Sequence, residues 1–245
     1  MNQTDFMAQC AKAFDEHPML PAPTEEQLYK LFLLTERMLD VNQHMNLTAI
    51  KDPIDVIYKH YVDCASLLPL LPQNAKVIDV GCGAGFPSLP TAIFRPDLSV
   101  TAMDSTGKRI QYVSETASLL SLDRLTAITA RAEEAGRSAE HREQYDAATA
   151  RAVASLPVLC ELCMPFVRLG GLFLAMKGPL ALQELSSAAS AIETCGGCET
   201  SDIPFSLYMP SSELPDVRHI ISIKKAAHTP RNLPRNFSQI SKKPL

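Results

Sequence analysis

The chain has no run of roughly 18 apolar residues free of charge, and this excludes a membrane-spanning helix. Its first 15 residues hold neither a basic n-region nor an apolar h-region; Asp5 and Asp15 flank a few scattered apolar side chains, so no secretory signal peptide is expected. Nor is there an even complement of cysteines. The seven present leave one over in any pairing scheme, and 245 residues can build a core without covalent staples. A reducing, cytoplasmic setting is the expectation. Acidic residues are absent beyond Asp216, whereas Arg218, Lys224, Lys225, Arg231, Arg235, Lys242 and Lys243 follow it. The whole chain carries 23 Lys and Arg against 27 Asp and Glu, a net charge of −4, and by that sum it does not read as a nucleic-acid binder. The charge is instead divided, with a basic tail on an acidic body. Apolar side chains are plentiful, at 46% of the sequence, which provides for a packed core and excludes wholesale disorder.

About the first 70 residues read as helical. Thr24-Glu25-Glu26-Gln27 has the capping-box spacing, and Leu28, Leu31, Phe32, Thr35, Met38 and Leu39 then share one face. Residues 42–50 read as a loop. Asp52-Pro53 is an N-cap and first-turn pair for a helix running to about Leu68, where Pro69 and Pro72 stop it. From Ala75 the pattern changes to strand–helix alternation. Strands are expected at 76–80, 99–103, 126–130, 145–150 and 172–176, with two late ones near 206–208 and 218–223. Helices are expected at 87–94, 108–120, 156–167 and 180–192. Alternation at βαβ spacing implies an α/β fold: a seven-stranded, mostly parallel sheet with helices on both faces. The division is then a helical extension at 1–72, an α/β domain at 73–227, and a basic tail at 228–245 that reads as a loop or mobile arm.

Val77-Ile78-Asp79-Val80-Gly81-Cys82-Gly83-Ala84-Gly85 stands where the first strand feeds the first helix of that domain. Glycines there let the backbone turn tightly and let a ligand approach with no Cβ in the way. The spacing is G-x-G-x-G; the G-x-G-x-x-G of dinucleotide enzymes is absent. With Asp79 upstream, this fits the S-adenosyl-L-methionine version of the loop, in which Gly81, Gly83 and Gly85 wrap the amino-acid end of the cofactor. Alone, the same run also reads as a tight surface turn. Asp104 ends the second strand, where a carboxylate can accept hydrogen bonds from ribose hydroxyls, cap the next helix, or both. Arg131-Ala132-Glu133 follows the third strand, where an adenine edge would meet a backbone amide and a carboxylate; the other reading is a charged helix start.

Together these residues resemble a known family, the bacterial small-subunit ribosomal RNA guanine-N7 methyltransferases once called glucose-inhibited division protein B. The resemblance covers most of the chain. It rests on Asn46-Leu47-Thr48, on Lys59-His60 with Asp63, on the glycine loop continued by Phe86-Pro87, on Asp104-Ser105 with Lys108-Arg109, and on Arg131-Ala132-Glu133-Glu134. Arg151-Ala152-Val153-Ala154, Lys177-Gly178, Arg218-His219, and Pro234-Arg235 with Lys242-Lys243-Pro244-Leu245 extend it. The chain departs from the family at Ser88, where glycine is common, at Cys64, where serine is usual, and at Met176, where leucine is frequent. The resemblance implies a Rossmann-like class I methyltransferase fold with an N-terminal helical extension. It implies methyl transfer from S-adenosyl-L-methionine to N7 of guanine 527 in 16S rRNA, with cofactor contacts at Gly81, Phe86, Ala132, Glu133 and Arg151. The partner is then 16S rRNA or the small ribosomal subunit, with no membrane, and the protein is expected to be a monomer. Another RNA or a small molecule is the alternative substrate.

Guanine N7 carries an in-plane lone pair and no proton at neutral pH, so no general base is nominated; the task is positioning and electrostatics. N7 lies in the deep major groove of A-form RNA, so the target base is expected in a loop or extruded. The product ring is cationic, so basic residues are expected on phosphates and away from the base. Lys177, Arg231 and Arg235 are the candidates, and each also reads as an ordinary surface charge. His60 and Asp63, three apart on one helix, are candidates for contacting the base, or else a pair tying the extension to the main domain. Cys160-Glu161-Leu162-Cys163 and Cys195-Gly196-Gly197-Cys198 have the C-x-x-C form, but their separation exceeds zinc-knuckle spacing, and no metal is expected. A nicotinamide oxidoreductase would need the missing G-x-G-x-x-G. A catalytically silent RNA-binding module would have lost the glycines, Asp104 and the Arg-Ala-Glu run.

Overall fold

The computed structural model describes residues 1–245. Helices α1 (Gln3–Asp15) and α2 (Glu25–Val41) open the chain. The capping box at α2 forms as its sequence predicts, with Thr24 and Gln27 each satisfying the other's backbone N–H. The Gln27 amide also donates to the Ile93 and Phe94 carbonyls, both at 3.2 Å, so the cap doubles as a tie to the main domain. The helix expected from Pro53 forms with Asp52 as its cap. It is not uniform, however. α3 (Pro53–Val56) runs into a π-helical turn (Ile57–Val62) and then into α4 (Asp63–Ala65). Such wide turns are rare and concentrate at functional sites.

The sheet has seven strands in the order β3-β2-β1-β4-β5-β7-β6. These are β1 (Lys76–Val80), β2 (Ser99–Asp104), β3 (Leu125–Thr129), β4 (Tyr145–Arg151), β5 (Val167–Lys177), β6 (Gly197–Leu207) and β7 (Asp216–Lys225). The first five are parallel, and β7 runs antiparallel between β5 and β6. Helices α5 (Ser88–Phe94), α6 (Gly107–Leu119), α7 (Ala132–Ala135), α8 (Leu156–Cys163), α9 (Ala181–Ser187) and α10 (Ala189–Thr194) connect them. A core of 43 buried residues runs from Phe6, Phe14 and Leu31 of the first helices into Val77, Val100 and Leu174 of the sheet, so the helical extension has no separate core of its own. A second core, including Leu159, Phe166, Phe173 and Ile221, fills the other face.

Four elements differ from expectation for identifiable reasons. The helix expected to reach residue 167 ends at Cys163, because Pro165 cannot continue it. The helix expected at 180–192 breaks into α9 and α10, where Ser186 and Ser187 hydroxyls bond back to the Leu182 and Glu184 carbonyls. β6 is 11 residues long, although its mostly exposed, Pro204-containing sequence shows no alternation; it is an edge strand paired only to β7. The tail is no loose arm. It carries a helix, α11 (Phe237–Lys242), whose Ile240 is fully buried in the second core beside Leu233.

Candidate active site

The chain runs outward from β1 to β2 on one side, while β4 lies on the other, so a crevice opens at the carboxyl ends of β1 and β4. Two loops border it. One is the glycine loop after β1, whose Gly81 and Cys82 amides donate to the Met103 carbonyl at 2.8 and 2.9 Å. Gly81, Gly83 and Gly85 all have positive φ, a region that favours glycine. A Cβ at Gly85 would collide with Leu89, and one at Gly81 would lie 2.7 Å from Val153, whereas at Gly83 it would meet open space. Gly85 and Gly81 are thus held by close packing, with Gly81 also at the cleft edge, and Gly83 leaves room at the cleft.

Asp79, buried in β1, braces this loop. Its carboxylate accepts from the Ser88 hydroxyl at 2.7 Å, the Ser88 amide at 3.1 Å and the Thr149 hydroxyl at 3.3 Å. Burial pushes its pKa up to about 6, and these hydrogen bonds oppose the shift. Ser88, one of the three departures from the resembled pattern, is therefore held in place by a specific partner.

The second loop follows β4, whose last residue is Arg151. Its guanidinium donates to the Lys59 carbonyl at 3.0 Å, to the Asp63 carboxylate at 3.0 Å and to Nδ1 of His60 at 3.1 Å. With Nδ1 accepting, the His60 proton sits on Nε2 and is donated to the Thr48 hydroxyl at 3.2 Å. The imidazole stacks on Phe86 at 4.2 Å between centroids, and Arg151 lies 5.4 Å from the same ring. Burial, with Arg151 beside it, lowers the His60 pKa to about 3, so the ring stays neutral. Burial raises Asp63, against the pull of Arg151 and Arg218. The π-helical turn delivers Lys59 and His60 to one guanidinium, and Asp63 follows directly after it. Of the two readings of His60 and Asp63, the geometry supports the tie between extension and main domain: both are buried and turned onto Arg151. Next in the chain, Ala152 holds a left-handed φ of +56° without being glycine, a strain kept where three clefts meet.

The first cleft, of about 340 Å³, is bordered by Gly81, Asp104, Ala132, Glu133 and Leu162. Asp104 accepts from the Gly83 amide at 3.0 Å and the Thr106 amide at 2.8 Å, one on each oxygen, which leaves a lone pair on each for a ligand. A second, of about 230 Å³, lies along Gly83, Phe86 and His60, and a third, of about 400 Å³, lies between Arg151, Lys177 and Arg218. The predicted cofactor residues thus gather at one edge of the sheet. Glycines, a ribose-height carboxylate and a further carboxylate at the end of β3 suit a nucleoside joined to an amino acid.

The basic candidates are placed differently from one another. Lys177 donates to the Ala154 carbonyl at 2.6 Å and to Glu184 at 2.7 Å, and Glu184 also accepts the Leu156 amide. Its charge is used to pin the loop after β4. Arg235 pairs with fully buried Glu161, at distances down to 2.6 Å, and is likewise used by the fold. Arg231 is exposed. Sequence reasoning missed Arg218, on β7, whose Nε lies 4.0 Å from Asp63 with no hydrogen-bond partner. It also missed Phe237, which borders the first cleft from the tail. Antiparallel β7 gave no local sign that Arg218 would approach Asp63 of α4. The cysteines of the two C-x-x-C pairs are buried except for Cys198. Gly196 and Gly197 form a turn so close that a Cβ on Gly196 would collide with the Ala227 carbonyl oxygen.

Comparison with known proteins adds three findings. A family model described as GidB, rRNA small subunit methyltransferase G, matches residues 27–207. Ribosomal RNA small subunit methyltransferase G of Lactobacillus delbrueckii subsp. bulgaricus is 39% identical over 239 residues, which cover 96% of this chain and 98% of that protein. The protein of the same name from Acetivibrio thermocellus is 43% identical over 222 residues, 90% of each chain. Among solved structures, M. jannaschii TYW2 in complex with AdoMet superimposes with a TM-score of 0.53 at 14% identity, over 67% of this chain and 75% of that one. A SAM-dependent O-methyltransferase from Thermotoga maritima gives 0.53 at 15% identity, over 78% and 72%. At these identities the likeness is one of fold.

Proposed function

The chain belongs to the rRNA small subunit methyltransferase G family, and from that premise we propose that this S-adenosylmethionine-dependent 16S rRNA methyltransferase modifies N7 of guanine 527. The observation that carries the reading is the meeting of the clefts at Gly81, Arg151 and Ala152: the cleft holding Asp104, Ala132 and Glu133 shares lining residues with the two clefts beside it, which leaves adjoining spaces for a cofactor and a base.

When bound, S-adenosylmethionine supplies an electrophilic methyl on a sulfonium, which the N7 lone pair can attack in line. The protein's share is placement. Gly83 leaves room for the amino-acid end, Asp104 offers free lone pairs to ribose hydroxyls, and Ala132 with Glu133 faces the adenine edge. Phe86 and Arg151 line the adjoining cleft together with Gly83. No residue needs to remove a proton, and neutral His60, with a pKa near 3, is suited to support and not to base catalysis. Arg151 is held by Asp63, so a formal charge close to the product ring is offset. Among the basic candidates, exposed Arg231 is the one whose charge is free for a phosphate; Lys177 and Arg235 keep their partners inside the fold.

The test is transfer of labelled methyl to small subunits and to naked 16S rRNA, followed by mapping of the label. Label on N7 of guanine 527 is expected. Label at another nucleotide, or only on protein or small molecules, would sink the proposal.

A further inference from the structure

The C-terminal tail is bound to the body of the protein in a way its basic composition does not suggest. Arg142 donates to the carbonyls of Thr229, Pro230 and Leu233, and Arg137 donates to that of Pro234 at 2.7 Å. Glu161, on α8 and with no solvent exposure, accepts from the backbone amide of Arg235 and from its guanidinium. Ile240 is fully buried in the core formed around α8. Between these two anchors stands Phe237. The residue is 44% exposed, and it borders the same cleft as Asp104, Ala132, Glu133 and Leu162. Leu162 follows Glu161 on α8, so the residue that anchors the tail and the residue that lines the cleft are neighbours.

The chemistry of this corner is mixed in a particular way. Asp104 and Glu133 provide acceptors at one side, while Phe237 and Leu162 provide apolar surface. A purine has polar edges and flat π faces, and a half-exposed aromatic ring is the group that binds such a face. Resting on the cofactor assignment above, we infer that Phe237 stacks on the adenine ring of the cofactor, so that the C-terminal tail is a wall of the cofactor site.

The chain contains no tryptophan, so Phe237→Trp would place a single indole at the site. Titration with S-adenosylhomocysteine is expected to quench its emission, with a midpoint that agrees with calorimetry. Phe237→Ala is expected to weaken S-adenosylhomocysteine binding about tenfold, the usual loss for one base–aromatic stack. Because the ring is half exposed, the unliganded melting temperature should stay near the parent's. Unchanged emission in Phe237→Trp while calorimetry shows the site filled would overturn the inference, and so would unchanged affinity in Phe237→Ala. If the unsubstituted protein itself fails to bind S-adenosylhomocysteine, the cofactor assignment falls, and this inference with it.

Discussion

At the scale of single residues, Arg151 ties the N-terminal helices to the sheet edge. It satisfies a π-turn carbonyl, a buried carboxylate and a neutral histidine at once. Arg151→Met would leave Asp63 buried without its partner, and a loss of about 3–5 kcal/mol is expected in denaturant unfolding, together with loss of methyl transfer. The glycines separate into two kinds. Gly85→Ala meets Leu89 as well as an unfavourable φ, and about 2–4 kcal/mol of stability should go. Gly83→Ala has the φ penalty alone, about 1 kcal/mol, yet puts a methyl beside the cleft. Calorimetry should therefore find weaker S-adenosylmethionine binding in a protein that still melts near the parent temperature. Lys225 sets a pH dependence. Burial lowers its pKa from 10.5 to about 8, against the pull of Glu143. Between those values the unfolded chain holds a proton that the native chain has released, so this group makes stability rise with pH from about 8 towards 10.5. Unfolding measured at both ends of that window should show the rise in the parent and a flatter response in Lys225→Met.

At the scale of elements, the tail is the informative case. Residues 228–245 are basic, proline-bearing and poor in apolar side chains, which is the composition of an arm. What holds them is distant in sequence: Arg137, Arg142 and Glu161. No local pattern marks Glu161 as a partner of Arg235, because α8 reads as an apolar helix with one stray acid. Arg235→Ala should cost about 3 kcal/mol by stranding a buried carboxylate, while the pair replaced by Leu at Glu161 and Met at Arg235 should recover much of it. A double-mutant cycle on unfolding free energies would read this directly. The helix after Asp52 shows the opposite balance. Its start was legible from Asp52-Pro53, but its π turn was not, since the wide turn is stabilised by where Lys59 and His60 must meet Arg151. The central strands were legible because parallel, doubly covered strands are largely apolar; edge strand β6 was legible only at its end, near 206–208, because most of its residues face solvent.

At the scale of the whole molecule, the cleft proposed for the cofactor is assembled from the glycine loop, the end of β2, the start of α7, the loop after β4 and the tail. A ligand spanning these parts stabilises them together. S-adenosylhomocysteine at a hundred times its Kd should add about 2.7 kcal/mol, read as a rise of several degrees in the melting temperature. A protein of net charge −4 that binds RNA must do so with local cations, so its affinity should fall with salt along a slope set by a few phosphate contacts. The sequence by itself determined the alternation of strand and helix, the G-x-G-x-G turn and the carboxylate at the end of β2, because each is a local requirement of backbone geometry and burial. Only the tertiary structure decided that His60 and Asp63 serve Arg151, that Lys177 and Arg235 are occupied, and that Phe237 reaches the cleft. Those outcomes depend on which charges find buried partners across the fold, and such partners are chosen by packing and desolvation between segments that lie far apart in the chain.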